Sequence, residues 1–243
     1  MPLHILITGA STGIGAATAL EMAPGNHVYI HYHSSEAGAQ EVAAEVEKRG
    51  GKASLLKANL MVEAGCHELV KELASVTDRL DVLVNNAGGL VKRHPIPGLE
   101  WSLMEQIFGL NVFSTMLLTD LCLPLLRASA SPSIVNVTSV AMRSGAPTAT
   151  IYGAAKSAID SFTRGTAREL APQVRVNAIA PGVIETPFHD KYSTDERMQQ
   201  FRDAAPLKRN GVSQHISSAV RLLIENDFIT GETIDINGGL FMR

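Results

Sequence analysis

Cysteine is nearly absent: Cys66 and Cys122 are the only two in 243 residues. That excludes a disulfide scaffold and fits a reducing compartment. No excess of positive charge exists either. Lys and Arg number 21 against 24 Asp and Glu, a net charge of −3. Nucleic acid and anionic membrane are therefore poor matches as main partners. No apolar run approaches the roughly 18 residues of a membrane-spanning helix. Residues 1–8 lack a basic n-region and run straight into a strand pattern, which speaks against a cleaved signal peptide and for a cytoplasmic setting. No Pro/Gly/Ser-rich linker and no internal repeat divides the chain. His31 and His33 have no Cys/His/Asp cluster around them, so no zinc site is expected.

What is present is ordinary globular material, 45% hydrophobic and 19% charged. A chain of this length buries a sizeable core without staples. Short apolar runs read as strands: His4–Thr8, Val28–Tyr32, Ala53–Lys57, Val82–Asn85, Ser133–Thr138, Arg175–Ala178 and Thr233–Ile236. Helical patterns lie between them. Ala39, Val42, Ala43 and Val46 follow the i, i+3, i+4, i+7 spacing, as do Cys66, Leu69, Val70 and Leu73. This alternation predicts one α/β domain over 1–243, a doubly wound, seven-stranded parallel sheet with helices on both faces. Strands covered on both faces need no polar alternation, and these are nearly all apolar. Residues 182–211 break the pattern. They are charged, proline-containing and weakly periodic, which suggests a lid at about 183–211.

The first strand runs into Thr8-Gly9-Ala10-Ser11-Thr12-Gly13-Ile14-Gly15 and then the helical run Ala16–Met22. Gly9 permits a tight turn, Gly13 a close approach of backbone to a ligand, and Gly15 close packing of helix on strand. The helix start offers free N–H groups to a pyrophosphate. A ligand-free glycine turn would use the same residues, but the strand–turn–helix context favours a dinucleotide. An acidic residue at the end of strand two would hold a ribose 2′-hydroxyl. Tyr32 stands there instead, and His33, Ser34 and Ser35 offer hydrogen bonds to a 2′-phosphate. NADP(H) is favoured on this pattern, with NAD(H) the alternative. Glu36 counts against it unless it merely opens the next helix behind a serine cap.

Tyr152 and Lys156 are four apart on a helix predicted from Ile151 to about Ala171. A lysine ammonium lowers a neighbouring phenol's pKa, making the pair a candidate general acid, although this spacing also occurs on many inert surface helices. Ser139 adds weight. It follows the apolar strand Ile134–Val137, at the carboxyl edge where open α/β sheets bind ligands. Gly9, Asn85 and Pro181 end strands at that edge too.

With Thr8–Gly15, Asn85-Asn86-Ala87-Gly88, Ser139 and Tyr152-x-x-x-Lys156 in order, the chain resembles the short-chain dehydrogenase/reductase family. The thirteen-residue step from Ser139 to Tyr152, Asn111, the Arg175–Ala178 strand, the stretch from Pro181 to Thr186 and the closing run from Gly231 to Gly239 extend the resemblance along nearly the whole chain. It implies a Rossmann fold and an NAD(P)-dependent oxidoreductase. By the same resemblance, Tyr152 is the acid–base residue, Lys156 lowers its pKa and holds the nicotinamide ribose, and Ser139 orients the carbonyl. Asn111 supports a proton-relay water. Asn86, Ala87 and Gly88 line the cofactor, while Pro181, Gly182, Ile184 and Thr186 surround the carboxamide. Two positions depart from the family's habit. Asn59, followed by Leu60, stands where relatives often carry an adenine-binding Asp. Thr12 stands where NADP-dependent relatives often carry a basic residue, which weakens the NADP preference.

The overall look is that of 3-oxoacyl-carrier-protein reductases and keto-sugar or keto-uronate reductases. Lys92, Arg93, Arg143 and His189 are candidate substrate residues that suit an anionic group, although loops are also where solvated cations belong. The expected reaction is hydride transfer between nicotinamide and a ketone or secondary alcohol of a small polar, in one version acidic, substrate. The alternative is a 3-oxoacyl thioester. More distant is a non-catalytic nucleotide-binding protein. The long helix Glu100–Leu126, in which Pro124 marks a kink or an end, and the helix Tyr152–Ala171 carry surplus apolar surface. The family pairs such helices across subunits, which implies a homotetramer, or else a dimer, with Phe241-Met242-Arg243 at a subunit boundary.

Overall fold

Alternate residues of each central strand face opposite helical layers in the computed structural model, which describes residues 1–242. Arg243 lies outside the described residues. The strands are β1 (His4–Ile7), β2 (His27–Tyr32), β3 (Lys52–Lys57), β4 (Val82–Asn85), β5 (Ser133–Val137) and β6 (Arg175–Pro181). Then come two short strands, β7 (Ile184–Glu185) and β8 (Gly211–Val212), and finally β9 (Thr233–Ile236). Seven of them form one parallel sheet in the order β3-β2-β1-β4-β5-β6-β9. The chain reverses its direction of travel between β1 and β4, which opens a crevice at their carboxyl ends.

The helices are α1 (Gly13–Glu21), α2 (Glu36–Lys48), α3 (Glu63–Val76), α4 (Trp101–Phe108) and α5 (Ser114–Arg127), followed by α6 (Ala141–Ser144), α7 (Thr150–Leu170), α8 (Pro187–Tyr192), α9 (Asp195–Ala204) and α10 (Ser213–Glu225). Ile5, Ile7, Val28, Ile30 and Val84 turn toward α1, α2 and α10, where Ala19, Val42, Val46 and Val220 meet them. Leu6, Tyr29 and Leu83 turn the other way, onto Leu69 and Leu73 of α3 and Leu118 and Cys122 of α5. The period of two along each strand thus fills two separate cores, and each fully buried aliphatic side chain stabilises by roughly 1.5–3 kcal/mol. At the outer edge, β3 ends in exposed Lys52 and Lys57, which discourages pairing with another sheet.

Three elements differ from the sequence expectation. The helix expected over Glu100–Leu126 spans Trp101–Arg127 and changes winding in the middle, with Gly109–Phe113 π-helical between α4 and α5. By length and composition it could cross a membrane; half of its most apolar 18-residue stretch is buried within the fold. Interspersed Asn111, Thr115 and Thr119 interrupt the apolar stretch along the sequence, so its length was not apparent there. Strand six runs on to Pro181, three residues beyond the expected end. The segment that looked aperiodic contains α8, α9 and a parallel β7–β8 ladder, with Ile184 opposite Gly211 and Glu185 opposite Val212. Only two residues per strand, and helices of six and ten residues, are too short to impose a clear period.

Candidate active site

A cleft of about 690 Å³ runs along the carboxyl ends of the sheet, from the glycine turn at one end to α8 and α9 at the other. The turn is held from behind. Thr8 Oγ1 accepts the Asn86 and Ala87 N–H groups at 3.0 and 2.9 Å, and Asn86 Nδ2 donates to the Thr8 and Gly9 carbonyls at 2.8 and 3.0 Å. Gly9 and Gly13 have φ of +61° and +57°, the left-handed region that glycine adopts without strain. A Cβ on Gly15 would collide with the Gly9 carbonyl and sit 2.6 Å from Asn86 Nδ2, so Gly15 serves packing and does not line the cleft. Thr12 makes no side-chain cap to α1, which leaves the first-turn N–H groups facing the cleft without a side-chain acceptor from it. This cradle fits a pyrophosphate.

The neighbouring strand ends supply the adenosine side. Tyr32, His33, Ser34, Asn59 and Leu60 all line the cleft. Asn59 Oδ1 already accepts the Met61 N–H at 3.1 Å, so its carboxamide is oriented by its own loop. Ser35 occupies the cap position of α2 without a side-chain cap bond, and Glu36 opens that helix 3.7 Å from Lys57. One tether of the glycine turn was not anticipated. His31 is buried, its Nδ1 accepts the Gly9 N–H at 3.0 Å and its Nε2 lies 3.2 Å from the Ala58 carbonyl. Accepting at one nitrogen and donating at the other requires the neutral ring, and burial pushes its pKa down to about 4. The β-strand position of His31 in the sequence gave no sign of this contact, because its partners come from other loops.

Across the crevice, α7 is locked by one stripe and presents the next. Ile151, Ala155 and Ile159 pack on Leu103, Ile107 and Val112. One position on, Tyr152 and Lys156 face the cleft beside Ser139, which follows β5. Ser139 Oγ accepts the Ala141 N–H at 3.1 Å and its side chain hydrogen bonds the Tyr152 hydroxyl. Lys156 is 4% exposed; Nζ donates to the Val137 carbonyl at 2.8 Å and lies 5.7 Å from the Tyr152 ring centre. Burial pushes Tyr152 up to about 12 and Lys156 down to about 8. The expectation that lysine lowers the phenol's pKa is thus outweighed here by desolvation of both groups.

Asn111 sits in the π-helical turn, behind the cleft wall. Its Oδ1 accepts the Gly89 N–H at 3.0 Å, and its Nδ2 donates to the Gly89 and Ile107 carbonyls, both at 2.8 Å. A Cβ on Gly88 would lie 2.7 Å from Asn111 Oδ1 and 3.0 Å from Lys156 Nζ, so the bare backbone there lets both groups converge. Pro181, Gly182, Ile184 and Thr186 complete the wall, with the Thr186 side chain 3.4 Å from where a Gly13 Cβ would stand.

The substrate end corrects two expectations. Arg143 points away from the cleft, its guanidinium 3.7 Å from Asp160 and 3.5 Å from Asp235. Lys92 is exposed and lines a neighbouring depression of about 490 Å³ with Lys191 and Thr194. Their positions near strand ends suggested cleft cations, but Arg143 is turned by carboxylates distant in sequence and Lys92 stays at the surface. Arg93 and His189 do line the cleft. So do Phe188, Arg197 and Phe201, which the sequence reading did not select. The Arg197–Phe201 spacing of four was the available signal.

The family model described as "Enoyl-(Acyl carrier protein) reductase" matches residues 9–241. A 3-oxoacyl-[acyl-carrier-protein] reductase of Synechocystis sp. is 35% identical over 242 residues, covering 98% of this chain and 96% of that protein. The crystal structure of an NADH-dependent reductase, A1-R′, responsible for alginate metabolism, superposes with a TM-score of 0.91 at 28% identity, covering 100% of this chain and 98% of the other. A Pseudomonas aeruginosa RhlG/NADP complex does so with a TM-score of 0.91 at 29% identity, covering 98% and 96%.

Proposed function

This chain belongs to the short-chain dehydrogenase/reductase family and is an NAD(P)-dependent oxidoreductase; from that premise we propose that it reduces the ketone of a small polar substrate, a keto sugar or keto-uronate. The observation that carries this reading is the convergence of Ser139, Tyr152 and Lys156 on one wall of the cleft that also holds the glycine turn. NAD(P)H supplies the hydride. Tyr152, kept protonated at neutral pH by its burial, gives its proton to the carbonyl oxygen. Ser139 orients that oxygen. Lys156, charged below about pH 8, stabilises the phenolate left behind. Asn111 acts through the Gly88-Gly89 backbone that it clamps.

The cofactor we favour is NADP(H). His33, Ser34 and Ser35 support that choice, and Glu36 is partly neutralised by Lys57. Residues 1–243 are read as one unit with 183–211 as its lid. A homotetramer in the reducing cytoplasm is the assembly proposed. Trp101 and Phe113, 73% and 59% exposed on the long helix, support shared helix faces. The second reading, a 3-oxoacyl thioester reductase, is favoured by the Synechocystis relative.

The test is oxidation of NADPH and NADH against an acetoacetyl thioester, neutral keto sugars and keto-uronates, by the wild type and Tyr152→Phe. A loss of ~10²–10⁴-fold in turnover, with cofactor fluorescence quenching retained, is expected for the variant. Undiminished turnover by Tyr152→Phe would remove the proposed mechanism.

A further inference from the structure

We infer that Arg93 and Arg197, with His189 beside them, form a recognition site for an anionic group carried by the substrate. The inference rests on the reductase reading above and assigns a chemistry to the cleft's outer end.

Arg93 is fixed in place. Its Nε donates to the Tyr192 carbonyl at 2.9 Å and its Nη1 lies 3.5 Å from Thr148 Oγ1. The loops that hold it are strained. Val91 and Thr148 have φ of 59° and 66°, left-handed values that β-branched residues rarely adopt, and the His94 N–H donates to the Thr148 carbonyl at 2.8 Å. Such strain persists where surrounding contacts over-determine the backbone, as at ligand sites. Arg197 comes from another element, the first turns of α9, and stacks 5.6 Å from the Phe201 ring centre. Both arginines line the same cleft.

Among the described residues neither arginine forms an ion pair, whereas Arg202, five positions beyond Arg197, pairs with Glu185 at 3.6 Å. The two cations repel each other: burial first and Arg197 second lower the Arg93 pKa. Burial, then Arg93, then Arg197 act the same way on His189, with Asp190 opposing. An anion placed there would relieve this repulsion and accept charge-assisted hydrogen bonds. The site is also connected to the chemistry. Phe188 lies 6.3 Å from the Tyr152 ring and 5.2 Å from the His189 ring, so a substrate extending from Tyr152 along Phe188 reaches the cations.

A carboxylate on the ketone and a phosphate on a thioester's carrier arm share this chemistry, and paired substrates separate them. The pairs are acetoacetate with its ethyl ester, a keto-gluconate with fructose, and the acetoacetyl thioesters of coenzyme A and of N-acetylcysteamine. Arg197→Gln should raise KM for the anionic member relative to its neutral partner ~10–100-fold, with kcat changing far less. Arg197→Lys should restore part of the loss. Arg93→Lys, which keeps the charge but not the two-point tether, provides a second variant of the opposite wall. An effect confined to the coenzyme A pair assigns the site to a phosphate; one confined to the first two pairs assigns it to a carboxylate. Equal effects on both members of every pair, or none, would overturn the inference while leaving the reductase reading intact. If the wild type binds NADPH but reduces no panel member, the reductase reading fails instead. The inference is then judged by calorimetric titration of the cofactor complex with acetoacetate. Binding that Arg197→Gln abolishes supports it, and absence of binding to the wild type refutes it.

Discussion

Replacing Lys156 with methionine should make the protein's stability respond differently to alkali. The ammonium is buried, with the Val137 carbonyl as its hydrogen-bond acceptor at 2.8 Å, and its pKa falls from the usual 10.5 to about 8. At ~1.4 kcal/mol per pH unit this depression amounts to about 3 kcal/mol. The sign follows from proton counts. Between pH 8 and 10.5 the unfolded chain holds the lysine proton and the folded chain does not, so wild-type stability rises with pH across that window. Below pH 8 both states hold it and the full penalty stands. Lys156→Met removes the titration but leaves the Val137 carbonyl short of a donor, at a pH-independent cost of ~1–3 kcal/mol. At pH 7 the two effects nearly offset, leaving the variant between about equal and about 2 kcal/mol more stable. From pH 7 to pH 10.5 the variant should lose about 3 kcal/mol relative to wild type, since only the wild type gains. For a chain of this size that is a relative Tm change of ~6–12 °C. Urea midpoints of both proteins at equal concentration, taken at intervals over that range, measure it, and every other titrating group cancels in the difference. A stability difference that stays flat from pH 7 to pH 10.5 would show that the ammonium bears no burial penalty.

Arg143→Ala should lower thermal stability by ~1–3 kcal/mol, because Asp160 and Asp235 lose a partly buried counter-charge. KM should stay the same for acidic and neutral ketones alike, and a selective rise for acids would return Arg143 to the cleft. Affinity for both NADH and NADPH should fall as pH drops through about 4, because a protonated His31 cannot accept the Gly9 N–H. Stability should decline over the wider interval from 6.5 down to about 4, where the unfolded chain binds the proton first. Fluorescence titrations of cofactor at pH 7, 5 and 4, compared with His31→Asn, check this, and identical acid profiles for both proteins would exclude His31 as the tether.

Those residues whose role follows from strand ends and helix spacing were legible in the sequence. Ser139 follows a fully buried, largely apolar strand, Tyr152 and Lys156 are separated by one helical turn, and Gly9, Gly13 and Gly15 bracket a strand-to-helix turn. Each of these signals is local, and all but Gly15, which packs behind the turn, line the cleft. Groups whose direction depends on a distant partner were not legible. Arg143, in the short helix α6, turns toward Asp160 and Asp235, whereas Arg93 is held at the cleft by Tyr192 and Thr148; nothing local in the sequence separates the two. Backbone winding was equally hidden. Nothing in Gly109–Phe113 announces a π-helical turn, although this turn brings Asn111 onto the Gly89 backbone. The doubly wound sheet followed from apolar runs because strands buried on both faces have little else to display.

The β7–β8 ladder joins residues 184–185 to 211–212, so the chain leaves the sheet region and returns to it at one narrow neck. Everything between, including α8 and α9, can change in length or composition without moving Ser139, Tyr152 or Lys156, which stand on β5's end and α7. The neck therefore gathers the His189 and Arg197 part of the recognition site into one exchangeable piece. Transplanting residues 187–210 between homologous scaffolds would exchange that part, while Arg93, Thr186 and the proton-donating wall stay with the scaffold.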